Sequence, residues 1–247
     1  MSTASVRVAL KVYGEPLTVE GDAPTGPARL DEILPAFCKV DDAVIDRAVA
    51  RVEAGGEKVS CAKGCSACCR AQPVPVTPPE AYALFRLVES LPEPRRSEVK
   101  SAFADRTVRL RVAGLYDTYM HRDADLSREQ AREIAGCYFR LGLVCPFLVD
   151  DACGIYPDRP FVCRQYLVTS PAALCSDPLR NPVRPVPMPL RFATAALAVA
   201  EESIGRPQHT VPLVLALEYA QTHRDELERQ FDGRDIFGRF MKALASD

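Results

Sequence analysis

Residues 59–70 read VSCAKGCSACCR, four cysteines within nine positions. Such a stretch supplies disulfide halves, metal ligands, redox catalysts or small core residues, and its surroundings decide among them. The opening, MSTASVRVALKVYGEP, lacks the basic region and apolar run of a secretory signal. No apolar stretch approaches the ~18 residues of a membrane span, and FATAALAVA at 192–200 is the longest candidate. A cytoplasmic chain without a membrane segment is the resulting expectation. Stable disulfides are uncommon in that reducing compartment. Ten cysteines there read first as metal ligands or redox groups.

The chain of 247 residues is long enough to bury a core without covalent staples. Hydrophobic residues at 47% and charged residues at 26% describe an ordinary globule. A net charge of −2 gives no electrostatic pull toward nucleic acid or an anionic membrane, so neither is expected as a partner. Nothing in the sequence specifies a protein partner.

Working outward from the cluster, residues 6–20 alternate, with Val6, Val8, Leu10 and Val12 on one face, which predicts a short β-hairpin turning at YGEP. Val40, Val44, Ala48 and Val52, with Ile45 and Val49, form a helical stripe ending at Gly55-Gly56. Just after the cluster, Thr77-Pro78-Pro79-Glu80 reads as a capping box opening a helix that buries Ala81, Leu84, Phe85 and Val88. One longer helix is expected over 94–118. Ser127 and Gln130 form a second capping box before Ile134, Ala135, Tyr138 and Leu141, with Gly142 placed to terminate. Residues 143–188 carry four cysteines, many prolines and few helical stripes. Helices are expected again at 190–204, 211–229 and 234–245, the last burying Ile236, Phe237, Phe240, Met241 and Leu244. The predicted fold is mainly α, its helices set around a loop-borne cysteine cluster, with a short N-terminal β-hairpin. It divides into a β arm (1–28), a cysteine-cluster metal-binding domain (29–188) and a C-terminal helical extension on the same core (189–247).

Cys61, Cys65, Cys68 and Cys69 follow C-x3-C-x2-C-C, and Cys145, Cys153, Cys163 and Cys175 lie in the loop-rich segment. Thiolate is the ligating form, and short loops between thiols let several converge on one ion at little ordering cost. A turn at Gly64 would let backbone N–H groups face the sulfurs. An all-thiolate shell suits zinc or an iron–sulfur cluster, with disulfide or plain packing as the alternative reading. Charge does not choose the metal, because four thiolates leave about −2 around either zinc or an oxidised [4Fe–4S] core. If Cys68 and Cys69 begin a helix, their side chains diverge by about 100°, which assigns Cys69 to a second site or another edge of a multinuclear centre. The surplus of thiols favours a cluster, [4Fe–4S] by preference, with zinc second. Lys63, Arg70, Arg159 and Arg164 read either as N–H···S donors or as solvated surface residues. Cys38 and Cys137 read as small buried residues, Cys137 being the better spare ligand, and His121, His209 and His223 as surface or structural.

CAKGCSACCR, PVPVTPPEA, CPFL and CGIYPDRPFVCR, in that order, resemble the YkgJ-type cysteine-cluster proteins over roughly residues 58–176. The resemblance implies a zinc- or iron-chelating domain, and it nominates Cys61, Cys65, Cys68, Cys69, Cys145, Cys153 and Cys163, with Cys175 less firmly. A related group resembles flagellin lysine N-methylases, so an S-adenosylmethionine-dependent protein lysine N-methylase-like enzyme using the cluster is the alternative function. Cys61, Cys65 and Cys68 also match the radical-SAM spacing C-x3-C-x2-C. Ala67 stands where that superfamily has an aromatic residue, and no alternating βα pattern predicts its barrel. The role expected of the metal centre is redox, metal-handling or structural.

Overall fold

The computed structural model describes residues 2–121 and 126–245. Residues 1 and 246–247, the ends of the expected three-part division, and residues 122–125 within it lie outside them. The chain opens with the antiparallel hairpin β1 (Thr3–Val12) and β2 (Glu15–Pro24), longer than the sequence predicts. Tyr13 and Gly14 at its tip take φ of 54° and 84°, the two-residue turn whose twist matches its strands. Strand β3 (Pro27–Ala28) follows, then helix α1 (Leu34–Ala54), which buries Val40, Val44 and Ala48 as its stripe requires.

After the first cysteine loop come β4 (Pro75–Val76) and α2 (Pro78–Ser90). The expected long helix is two, α3 (Arg95–Val112) and α4 (Tyr116–Met120). Gly114, at φ 70°, breaks it between them. Helix α5 (Arg128–Leu141) has its predicted box, with Ser127 N–H donating to Gln130 Oε1 (2.9 Å) and Gln130 N–H to Ser127 Oγ (3.2 Å). It ends at Gly142 in the left-handed region. The second cysteine segment holds β5 (Leu148–Val149), β6 (Ala152–Cys153) and α6 (Phe161–Gln165). Helix α7 (Phe192–Ile204) leads to β7 (Val211–Pro212), α8 (Ala216–Thr222), α9 (Arg224–Leu227), β8 (Phe231–Asp232) and α10 (Gly233–Ala245).

The helix expected over 211–229 is thus shorter and interrupted. Val211 and Pro212 pair with Val76 and Pro75 instead, and Leu213 N–H donates to Val74 O at 2.7 Å. Pro212 has no amide to give a helix, so the strand pairing takes this stretch. The sheets among the described residues are all two-stranded and antiparallel, which leaves no βα barrel there. No helix among them is long and apolar enough to cross a membrane.

Two apolar clusters form the interior. One gathers α2, α3, α5 and α8 with Leu143, Phe147 and Ile155, and Cys137, Cys145, Cys153 and Cys163 pack against it. The other joins the hairpin and α1 to Phe161, α7 and α10. Its centre is aromatic, with Phe37 stacked on Phe240 at 3.7 Å between ring centroids. Both rings are fully buried. Replacing Phe240→Ala leaves a hole where that stack stood and is expected to cost about 3–5 kcal/mol. A urea unfolding midpoint close to wild type would contradict that role.

Candidate metal centre

Several attachments dock the first cysteine loop onto the second. Ser60 N–H donates to the Val168 carbonyl (2.9 Å), Cys145 N–H to the Cys69 carbonyl (2.7 Å) and the Gln72 side-chain amide to the Cys175 carbonyl (2.7 Å). At the surface Arg70 pairs with Asp151, to which the Ser66 hydroxyl also donates (3.3 Å). Asp150 and Asp151 form the two-residue tip of the β5–β6 hairpin, with φ of 45° and 60°. Aspartate tolerates that region better than most side chains. The hairpin sets Cys153 opposite Leu148.

Between the docked loops lies a cavity of about 140 Å³ lined by Cys61, Cys65, Cys68, Cys69, Cys145, Cys153 and Cys163. The eighth predicted residue, Cys175, is buried on the 3₁₀ turn Ala172–Ser176, and burial followed by the nearness of Cys61 pushes its thiol up to about 11. The vicinal pair begins a 3₁₀ turn, Cys68–Arg70, rather than an α-helix. Exposed Ala62, Gly64 and Tyr156 stand at the cavity's edge.

Backbone amides point at three of the sulfurs: Val168 N–H at Cys61, Phe147 N–H at Cys145 and Ile155 N–H at Cys153. The Tyr166 hydroxyl donates to Cys175. Each of these contacts favours thiolate, while burial in an apolar wall disfavours it. Burial prevails, pushing Cys145 up to about 12, raising Cys61 and Cys153, and holding Cys163 well above its ordinary value. Cys68 is raised first by its hydrogen bond with the Cys69 thiol and then by burial.

Among the described residues no three His, Cys, Asp or Glu side chains already surround one point that would hold an ion. The thiols stand along the cavity wall, and a change of χ1 rotamer swings each sulfur without moving backbone. The donor chemistry itself is uniform. No carboxylate or imidazole lines this cavity among the described residues. With seven thiols and no carboxylate, the lining fits zinc or an iron–sulfur cluster and suits hard oxygen-seeking cations poorly.

The four neighbouring cations divide. Arg164 is buried and gives its hydrogen bonds to oxygen: Asp42 (2.7 Å), the Arg159 carbonyl (2.8 Å) and the Pro157 carbonyl. Arg70 serves Asp151, and Lys63 is exposed. Arg159 alone of the four lines the cavity, lying over the Tyr156 ring at 3.7 Å, and its charge lowers the Cys153 thiol against the burial that raises it. An arginine–sulfur hydrogen bond occurs elsewhere, from Arg140 to Cys137 (2.9 Å). Cys137 and Cys38 are half-buried rather than fully interior, although burial pushes the Cys38 thiol up to about 12. His209 and His223 pack on the Tyr219 ring, and His121 is exposed beside Asp117, as structural or surface residues do.

Sequence reasoning did not find the side chains that hold α6, which carries Cys163. Glu80 binds its own Thr77 through the amide (2.8 Å) and hydroxyl (2.7 Å), while its other oxygen accepts the Phe161 amide at 2.7 Å. At the far end Gln165 donates to Asp41 (2.8 Å) and to the Leu190 carbonyl (2.8 Å). Asp42, Glu80 and Arg164 face a second cavity of about 300 Å³ behind the loop, with Cys38 on its wall.

Residues 60–178 match the family model CxxCxxCC, described as "Putative zinc- or iron-chelating domain". This segment belongs to the CxxCxxCC family. No curated protein and no solved structure matches the chain. The CxxCxxCC segment contains all eight predicted cysteines, and it runs from the residue that docks on Val168 to just beyond the Cys175 turn.

Burial raises the Asp41 carboxyl to about 8, and its Oδ2 has no hydrogen-bond partner among the described residues. The folded chain therefore holds this proton more tightly than the unfolded one, whose value is about 4. The stability this group contributes is full below about pH 4 and lost as pH rises through about 8. Asp41→Asn keeps an acceptor for Gln165 and removes the charge. Its melting temperature is expected to gain on wild type steadily between pH 5 and pH 8.5, and a gap independent of pH would count against a neutral buried Asp41.

Proposed function

We propose that the chain is a metal-binding protein whose cysteines hold one all-thiolate centre joining two distant loops. An iron–sulfur cluster is the leading occupant. The observation that carries this is the single cavity lined by four cysteines of the first loop and three of the second. Cys61, Cys65, Cys68, Cys69, Cys145, Cys153, Cys163 and Cys175 supply the candidate ligands. Bound there, the cluster would bring one-electron chemistry to a site whose potential depends on hydrogen bonds to sulfur and on solvent exposure. The amides of Phe147, Ile155 and Val168 supply such hydrogen bonds. Exposed Ala62, Gly64 and Tyr156 beside the thiols favour a centre that exchanges electrons or metal over a sealed structural knot.

The loops gain order from the metal in this reading. Outside α6 and the β5–β6 hairpin, residues 143–188 contain short 3₁₀ turns, one isolated β-bridge between Val168 and Pro185 and irregular chain. Binding free energy then becomes folding free energy for that segment. Zinc is the second reading, supported by the same seven thiols.

Anaerobic reconstitution of the full chain with iron and sulfide is expected to give brown protein with broad visible absorption and iron and acid-labile sulfide in equal amounts. Chelation should then raise amide hydrogen exchange across residues 143–188 together with the first loop. A colourless product that takes up stoichiometric zinc would replace the cluster with zinc, and a chain binding neither would end the proposal.

A further inference from the structure

The hairpin β1–β2 is attached to the rest of the molecule unevenly. Helices α1 and α10 pack chiefly against β2, which leaves β1 at the margin. The two-residue turn makes Val12–Glu15 the first hydrogen-bonded pair, so Val6, Val8 and Leu10 direct their amides and carbonyls to β2. Ser5, Arg7, Ala9 and Lys11 turn theirs outward, and among the described residues no backbone hydrogen bond joins them to another element. All four are exposed. Long open edges are normally interrupted by proline or a bulge. Strand β1 has neither, and its ladder runs unbroken from Thr3 to Val12. The edge is also held in place. The Tyr13 hydroxyl donates to the Pro187 carbonyl (2.8 Å), and the Arg51 guanidinium lies over the Tyr13 ring at 4.7 Å. On the inner face Val8 and Val12 are buried, whereas Val6 and Leu10 are only half-buried.

We propose that β1 is a self-pairing edge, to which a second copy of this chain adds its own β1 antiparallel, making a four-stranded sheet about a two-fold axis. This pairing is independent of what the cysteines bind. The side chains select the register. Val6, Val8 and Leu10 stay on one face only where odd-numbered residues meet odd-numbered ones. With Arg7 opposite Arg7 of the second copy, or opposite its Lys11, like charges meet directly, which destabilises the pair. With Val8 opposite Val8, Arg7 faces Ala9, Lys11 faces Ser5 and Val6 faces Leu10. No like charges then oppose each other, and the half-buried Val6 and Leu10 of the two copies cover one another. In this register the hydrogen-bonded positions fall on Ser5, Arg7, Ala9 and Lys11, the residues whose backbone groups point outward. Arg7 is already joined to Glu20 of β2 (2.8 Å), so its charge stays compensated in the assembled sheet.

Sedimentation equilibrium of the full chain in excess thiol reductant, which excludes intermolecular disulfides, is expected to show a monomer–dimer equilibrium. Amide hydrogen exchange should slow at Ser5, Arg7, Ala9 and Lys11 as concentration rises, while Val6, Val8 and Leu10 keep the protection that β2 gives them. Ala9→Pro removes an outward amide without touching the β1–β2 ladder and should leave a monomer with wild-type helical circular dichroism. Ala9→Glu sets a carboxylate opposite Arg7 of the second copy and should tighten the dimer roughly fivefold, and Ala9→Lys should weaken it by a similar factor. A monomer at every concentration overturns the proposal. So does a dimer that Ala9→Pro leaves intact, or one that forms without slowing the outward amides. The exchange pattern of wild type decides even where the proline variant fails to fold. Weakening by Ala9→Glu would overturn the proposed register.

Discussion

Helix α6 is too short to persist on its own in water, yet it carries Cys163 to the cavity and Phe161 to the aromatic core. Placing it inside the molecule strands its first amide groups, each of which costs about 1–3 kcal/mol if buried without an acceptor. Glu80 meets that requirement at Phe161, and because the same carboxylate also binds Thr77, the start of α2 and the start of α6 are fixed to one side chain. Arg164 then ties the loop at 157–159 to Asp42 of α1, and Gln165 ties the last turn to Asp41. Three acids from two helices thus set one cysteine.

The two apolar clusters meet along this same segment. Phe161 belongs to the cluster built on α1, α7 and α10, whereas Cys163, two residues on, packs against the cluster of α2, α3, α5 and α8. The thiol cavity opens on the second of these, with Leu143, Ile155, Leu213 and Val214 in its wall and irregular chain bearing the cysteines. This location reconciles two demands that regular structure would set against each other. Cysteines from residues 61–69 and 145–163 need freedom to turn their sulfurs inward, and the backbone beneath them needs fixed hydrogen bonds. Short turns anchored on well-packed helices supply both.

Much of the helical frame was legible because its signals are local. The Thr77–Glu80 and Ser127–Gln130 boxes, the stripe of α1 and the face of α10 each depend on residues within a few turns of one another. The cysteine spacing was legible for the same reason, since close thiols imply a shared task before any fold is known. What stayed hidden depends on distant partners. Glu80 looks complete as a capping residue, and nothing nearby tells that its second oxygen serves Phe161, eighty-one positions on. Arg164 sits beside Cys163 in sequence but points to Asp42, so adjacency suggested a sulfur contact that the fold does not make. The helix expected over 94–118 failed at Gly114, where a single glycine gave the chain a left-handed exit that the surrounding helical pattern masked.

The thiols face opposing influences that the proposed metal centre would bring into accord. Amide and hydroxyl hydrogen bonds to Cys61, Cys145, Cys153 and Cys175 are arranged to support negative sulfur. The apolar wall formed by Leu143, Ile155, Val162 and Leu213 raises the cost of leaving that charge uncompensated. A wall meant only to store neutral thiols would have no need of the donors, and one meant for a solvent-exposed reactive thiolate would lack the apolar lining. In the proposed reading a soft metal group would resolve the conflict. Its positive charge would replace the protons, and the amide contacts would then strengthen ligands instead of competing with burial. The proximity of so many sulfurs, costly if each ionised alone, would become a source of affinity once they shared that charge.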